Sequence, residues 1–212
     1  MTAKTAARRR KRGVRTARQA RARHTVETIL EGGARILAER GWAGFTTNAV
    51  AARAGVSIGS LYEYFPNKEA LRDAIVTRHL DAGEGLMAEA AARLDPAIPP
   101  GGARSDAVVH ALIDGFVRLH DDDPVLHREL SSAVPLLSKH RARVEAMRAR
   151  LIDLLAAALA AECAHPHRAA LVIVDTVDVL THRWIVEDGP LPQDEMRAEI
   201  EAVVMGYLHR RA

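Results

Sequence analysis

Between Thr46 and Leu71 the chain reads TTNAVAARAGVSIGSLYEYFPNKEAL, and the punctuation of that run leaves few folds open. Thr46-Thr47 supplies hydroxyls to cap a short helix that extends to Ala54. Gly55 breaks that helix where a tight turn needs left-handed backbone. Ser57 caps a second short helix to about Tyr64. Pro66-Asn67 ends the second helix, and Asn67 caps a long one from Lys68 to about Leu94. Ala51 is small where the two short helices must approach, and Val50, Val56 and Leu61 supply the apolar contacts that lock their crossing. This is the pattern of a helix-turn-helix, whose second helix is free to enter a DNA major groove while the first lies across the backbone.

The flanking sequence continues in helices. Upstream, Ile29, Gly33, Ile36 and Leu37 share one face of a helix expected from about Thr25 to Arg40, with Gly41 as its stop. Downstream, Asp95 to Gly102 reads as a loop, and Ser105 is placed to cap a helix running to His120. Asp121 to Pro124 breaks the chain and starts a further helix, which Pro135 ends or kinks. Helices are then expected from about Arg141 to Ala161, from Pro166 to near Glu187, and from about Asp194 to His209. Hydrophobic residues are 48% of the chain but aromatics only 4%, so the apolar mass is Ala, Leu and Val, which favours helix packing. The expectation is an all-α fold of about nine helices with no competing strand pattern and no internal repeat.

The motif residues carry a resemblance. Thr46-Thr47, Ala54-Gly55-Val56-Ser57, Gly59-Ser60-Leu61-Tyr62, Tyr64-Phe65 and Lys68-Glu69-Ala70-Leu71, together with Ile29 to Phe45 upstream, resemble the TetR family of bacterial repressors. The resemblance covers roughly Arg23 to Leu80. Beyond Leu80 only a compatible helical outline remains. Thr47, at a helix N-terminus, is expected to bond a DNA phosphate through its hydroxyl and backbone amide, and Lys68 is placed for another. The resemblance implies phosphate contacts for Tyr62 and Tyr64, although plain core packing stays open for either. Phe65 reads as core. Base reading falls to Asn48, Ser57, Ile58, Gly59 and Ser60. Ile58 has no donor and offers only an apolar contact, such as to a thymine methyl, and Gly59 lets the backbone come close. No Arg or Lys lies between Ser57 and Tyr64, so the common bidentate guanine contact is missing.

Charge fills that gap. The first 23 residues hold ten Lys and Arg and no acid, which leaves 20 basic residues to face all 27 acidic ones over the rest of the chain. Residues 1–23 read as a flexible basic arm suited to a polyanion. Residues 24–80 form the DNA-binding domain, with six basic residues balanced by six acidic ones. Residues 81–212 form an effector-binding and dimerisation domain. In the last two helices, Val172, Ile173, Val177, Leu180 and Trp184 recur at helical spacing, as do Met196, Ile200, Val203, Val204, Tyr207 and Leu208. Paired across a two-fold axis they build a four-helix bundle, as the resemblance implies. The alternative is intramolecular core.

Leu86, Met87, Val109, Leu112, Phe116, Leu119, Leu126, Leu130, Met147 and Leu151 are candidate walls of an effector pocket, with plain core as the other reading. Asp175, Asp178 and His182 fall on one helix face amid apolar sequence, where they either meet a cationic or hydroxylated ligand or face solvent or the dimer partner. The densest histidine clusters, His165-Pro-His167 and His120 with Asp121 to Asp123, lack zinc spacing. No metal or cofactor is therefore expected. Cys163, the single cysteine, permits no internal disulfide, suits a reducing cytoplasm and reads as a small buried apolar residue. There is no secretory signal, no apolar run of membrane length, no phosphate loop and no nucleophile elbow, so the chain is not read as an enzyme. The expected function is a dimeric repressor on a palindromic operator, released by a small-molecule effector. The alternative is an effector-independent architectural DNA-binding protein.

Overall fold

The computed structural model describes residues 3–92, 102–121, 124–132, 134–187 and 189–210. They fold as nine α-helices and one π-turn: α1 Ala3–Gly44, α2 Thr47–Ala54, α3 Ile58–Tyr64, α4 Lys68–Ala92, α5 Gly102–Asp121, α6 Pro124–Ser132, α7 Val134–Leu159, α8 Pro166–Thr181 continuing into the π-turn His182–Val186, and α9 Gln193–Leu208. Among the described residues there is no strand, and no helix is long and apolar enough to cross a membrane. The chain divides into two compact units, Met1–Val76 and Thr77–Ala212.

The first unit closes around Ile29, Leu37, Phe45, Val50, Leu61 and Leu71, all fully buried. Its local geometry follows the sequence punctuation. The Ala49 N–H donates to Thr46 Oγ1 at 3.1 Å, the Ser60 N–H to Ser57 Oγ at 3.0 Å and the Ala70 N–H to Asn67 Oδ1 at 2.7 Å, so all three expected caps form. Each is worth about 1 kcal/mol. Gly55 ends α2 at φ 66°, and Gly41 interrupts α1 at φ 59°. The close approach of α1 and α2 falls at Gly32, where a Cβ would stand 3.1 Å from the Ala54 backbone nitrogen.

Several boundaries differ from expectation. Helix α1 begins at Ala3, so most of the segment read as a flexible arm is helical. Its Ala and Arg residues are strong helix formers, and no proline interrupts them. Ser105 does not cap α5. It lies inside that helix, fully buried, donating to the Ala158 carbonyl at 3.3 Å and to Glu162 Oε1 at 2.6 Å. Pro135 neither ends nor kinks a helix but sits at the start of α7, where its missing N–H costs nothing. The loop expected over Asp95 to Gly102 lies outside the described residues up to Gly102, which opens α5.

The second unit packs α5, α7, α8 and α9 around a core that includes Val109, Ile113, Leu155, Leu159, Ile173 and Val177. Pro166 is the first residue of α8, as expected. At His182 the α-hydrogen bonding gives way to one wider turn, and Val186 at its end is buried. Cys163 is buried in this core.

Candidate functional site

On the first unit, the residues singled out in the sequence gather on one side of the helix pair. Asn48, Ser57, Ile58, Gly59 and Tyr62 are exposed, while Thr47, Ser60, Tyr64 and Lys68 are half-buried. An isoleucine 39% exposed at the first position of α3 is not placed there by core packing, because the core of that helix is supplied by Leu61. Tyr62 is 48% exposed, so plain core does not describe it, whereas Phe65 is buried as expected.

Hydroxyl groups organise this surface. Thr47 Oγ1 and the Tyr62 hydroxyl lie 3.2 Å apart, which ties the start of α2 to the middle of α3. The Ser57 hydroxyl donates to Ser60 Oγ at 2.9 Å while accepting the capping N–H. At the opening of α4, half-buried Lys68 places its Nζ over the Phe45 ring, 5.8 Å from the centroid, a cation–π contact. Arg72, one turn on, lies over Trp42 at 5.2 Å, and Trp42 meets Phe45 edge-on at 5.5 Å. Arg53 pairs with Glu39. The surface thus presents hydroxyls, backbone and one ammonium rather than a cationic cluster.

In the second unit the expected effector residues part company. Asp175 is held by Arg148, whose Nε and terminal nitrogen donate to Oδ1 at 2.9 and 2.6 Å, with a further bond to Oδ2 at 2.8 Å. That carboxylate is already neutralised. Asp175 thus has a partner within the protomer, whereas Asp178 and His182 lie beside His120. Met147 borders Gly83, where a Cβ would meet its Cε at 3.5 Å. Phe116 stacks on His120 with ring centroids 6.1 Å apart, and its carbonyl lies 2.8 Å from His120 Nδ1. An open cleft between α6 and α9 is lined by Pro124, Trp184, Ile185, Leu191 and Met196, and by none of the five residues proposed for the effector.

The apolar stripes of the last two helices also divide. Ile173, Val177, Met196, Ile200, Val204 and Leu208 are buried within the protomer, which corrects their reading as a dimer surface. Leu171, Val172 and Val179 of α8 and Val203 of α9 remain exposed. Each helix is apolar on two faces, and spacing alone does not say which face looks inward.

One assembly went unforeseen. His120, His127 and His182 each bring a ring nitrogen within 4.8 Å of the others. Burial lowers the pKa of His120, against its bond to Phe116 and the charge of Asp178. Burial, with His120, His79 and His182 around it, lowers that of His127 to about 2. Asp178 keeps an exposed flank, yet the protein packed around its carboxyl raises its pKa, opposed by His120 and His182. His165 and His167, the cluster visible in the sequence, are exposed, and His167 faces Asp153 at 3.8 Å. Only His127 carries no sequence signal, lying 7 positions from His120 and 55 from His182 on a separate element.

A family model described as bacterial regulatory proteins, tetR family, matches residues 29–75, and one described as tetracyclin repressor-like, C-terminal domain, matches residues 106–208. No curated protein sequence matches the chain. Among solved structures, a TetR-like transcriptional regulator from Rhodococcus sp. RHA1 is 20% identical with a TM-score of 0.62, over 87% of this chain and 96% of that one. The fatty acid degradation regulator FadR from Bacillus halodurans is 18% identical with a TM-score of 0.68, over 86% and 95%. FadR from Bacillus subtilis, solved in complex with stearoyl-CoA, is 17% identical with a TM-score of 0.65, over 84% and 96%. At these identities the likeness speaks for the fold.

Proposed function

Because the chain belongs to the tetR family of bacterial regulatory proteins, we propose that it is a cytoplasmic repressor that binds a palindromic operator as a homodimer and leaves it when a small molecule occupies the second unit. The observation that carries the reading is the exposed start of α3. Ser57, Ile58 and Gly59 stand clear of the core, flanked by the Thr47–Tyr62 hydroxyl pair. In this reading Thr47, Tyr62, Tyr64 and Lys68 hold phosphates on either side of a major groove, and Asn48, Ser57, Ile58, Gly59 and Ser60 meet base edges.

The exposed Leu171, Val172, Val179 and Val203 support a dimer through α8 and α9. Two copies of α3 reading two half-sites need such a partner to set their spacing. Helix α4 is continuous from Lys68, at the nucleic-acid face, to Ala92 within the second unit's sequence. A ligand that favours one α4 placement shifts the spacing of the recognition helices by population. Emptying an operator from 99% to 1% occupancy of the competent state takes about 5.5 kcal/mol of differential binding.

Selection of bound duplexes from a random pool, at two salt concentrations, tests the reading. An inverted repeat enriched at both concentrations is the expected result. Binding without a motif that vanishes at the higher salt overturns it and favours an architectural role carried by the basic residues 1–23. Removing residues 1–20 is expected to weaken binding and flatten its salt slope, while Tyr62→Phe weakens it by about 1 kcal/mol and leaves the slope unchanged.

A further inference from the structure

Four imidazoles meet inside the second unit: His79 of α4, His120 of α5, His127 of α6 and His182 at the start of the π-turn. His120 and His127 lie with ring centroids 4.2 Å apart, His79 and His127 at 4.9 Å, His127 and His182 at 5.6 Å, and His120 and His182 at 5.9 Å. Packing does not ask for this. A leucine fills the same space without stripping water from ring nitrogens, which costs free energy wherever no partner replaces it.

The hydrogen bonding of the cluster is incomplete in a specific way. A carbonyl only accepts, so His120 Nδ1 carries the proton that it shares with the Phe116 carbonyl at 2.8 Å, and its Nε2 is left as a bare lone pair. His127 Nδ1 is buried with no hydrogen-bond partner. A neutral imidazole keeps one nitrogen free of its proton, and a cation among these rings takes up that lone pair from each.

We propose that His120, His127 and His182 bind one divalent transition-metal ion of the zinc, nickel, cobalt and copper class. Imidazole donors suit these metals, whereas magnesium and calcium want oxygen ligands. Zinc bonds nitrogen at about 2.0–2.1 Å, which puts tetrahedral ligand nitrogens roughly 3.3–3.4 Å apart. The widest separation in the cluster, 4.8 Å, therefore has to close by somewhat more than an ångström, a matter of side-chain rotation. Phe116 serves as the outer partner that fixes the His120 tautomer, the usual arrangement behind a ligating histidine. The fourth position is left to water, as in zinc sites that keep three protein ligands.

The test uses the full chain without a histidine tag, stripped with a chelator. Zinc titrated by calorimetry is expected to bind at one equivalent per chain, and cobalt to give the visible absorption of a nitrogen-ligated ion. His127→Gln and His182→Gln are each expected to lose on the order of 100-fold in zinc affinity or more, since even outer partners cost 10- to 100-fold. The exposed pair His165→Gln with His167→Gln leaves affinity unchanged. A folded wild-type chain that binds neither zinc nor nickel overturns the proposal, as does undiminished affinity in folded His127→Gln. Should the glutamine variants fail to fold, the wild-type cobalt spectrum decides, and one without nitrogen ligation overturns the site. No DNA enters this test. A chain that binds an operator but no metal sinks the site alone, and one that binds metal but no operator sinks the regulatory reading alone.

Discussion

The two units handle polar side chains in opposite ways. In the first, the core from Ile29 to Val76 is apolar, and the hydroxyls of Thr46, Thr47, Ser57, Ser60 and Tyr62 lie toward the surface, where they cap helices and pair with one another. In the second, Ser105, His120, His140 and Thr181 are buried, and these are the buried polar residues among those described. A polar group at the surface costs nothing to keep and can trade its water for a phosphate or a base edge. A polar group in the interior costs about 1–3 kcal/mol if left unpaired, so its presence points to a partner inside. The first unit keeps its polar groups where a partner from outside can reach them, and the second satisfies polar groups such as Ser105 within its own packing.

The two tryptophans, Trp42 in the first unit and Trp184 in the second, allow each to be followed alone once the other is replaced by phenylalanine. The largest effect is expected from Phe45→Ala, which empties the best-buried ring of the first unit and should lower the transition seen at Trp42 by about 3–5 kcal/mol in urea unfolding. An equal fall at Trp184 would break the comparison, because the units would then unfold as one block. Next comes zinc. At a hundredfold excess over Kd it is expected to raise the Trp184 transition by about 2.7 kcal/mol and leave that at Trp42 in place.

Backbone changes follow. Gly55→Ala forces a Cβ into left-handed backbone and should cost about 1–2 kcal/mol at Trp42, and Thr46→Ala about 1 kcal/mol through its cap. Circular dichroism melts would show either loss, and a neutral Gly55→Ala would mean the turn tolerates another conformation. The smallest effect is expected at Asp175→Asn. The Arg148–Asp175 pair is bidentate but about two-fifths exposed, so its loss should cost less than about 1 kcal/mol by urea unfolding at Trp184. A larger cost would make this pair a structural clamp of the second unit.

The same division governs how much a reader of the bare sequence can recover. Caps and turns are local, so Thr46, Gly55, Ser57 and Asn67 announce the helix-turn-helix within four residues of where they act. What depends on a distant partner is hidden. Ser105 looks like a cap because nothing nearby reveals Ala158 and Glu162. Asp175 looks like a ligand residue because Arg148 lies 27 positions away. The α8 and α9 stripes look like an interface because spacing fixes a face but not what covers it. The imidazoles come from four elements, and only the fold brings His120 and His182 to the same place. Residues 1–23 look like an arm because they carry ten basic and no acidic side chains, yet their helix propensity is good at almost every position.

The π-turn over His182–Val186 gives α8 slack in its length. In a regular helix, one residue lost or gained rotates everything beyond it by about 100° and would carry Val186 out of the core. A π-turn holds one residue more than the α count, so removing one there lets ordinary hydrogen bonding close through the gap with both ends kept in register. The solvent-facing Arg183 is the natural surplus. The segment that aims His182 is therefore also the place where this helix can change length by a single residue and still fold.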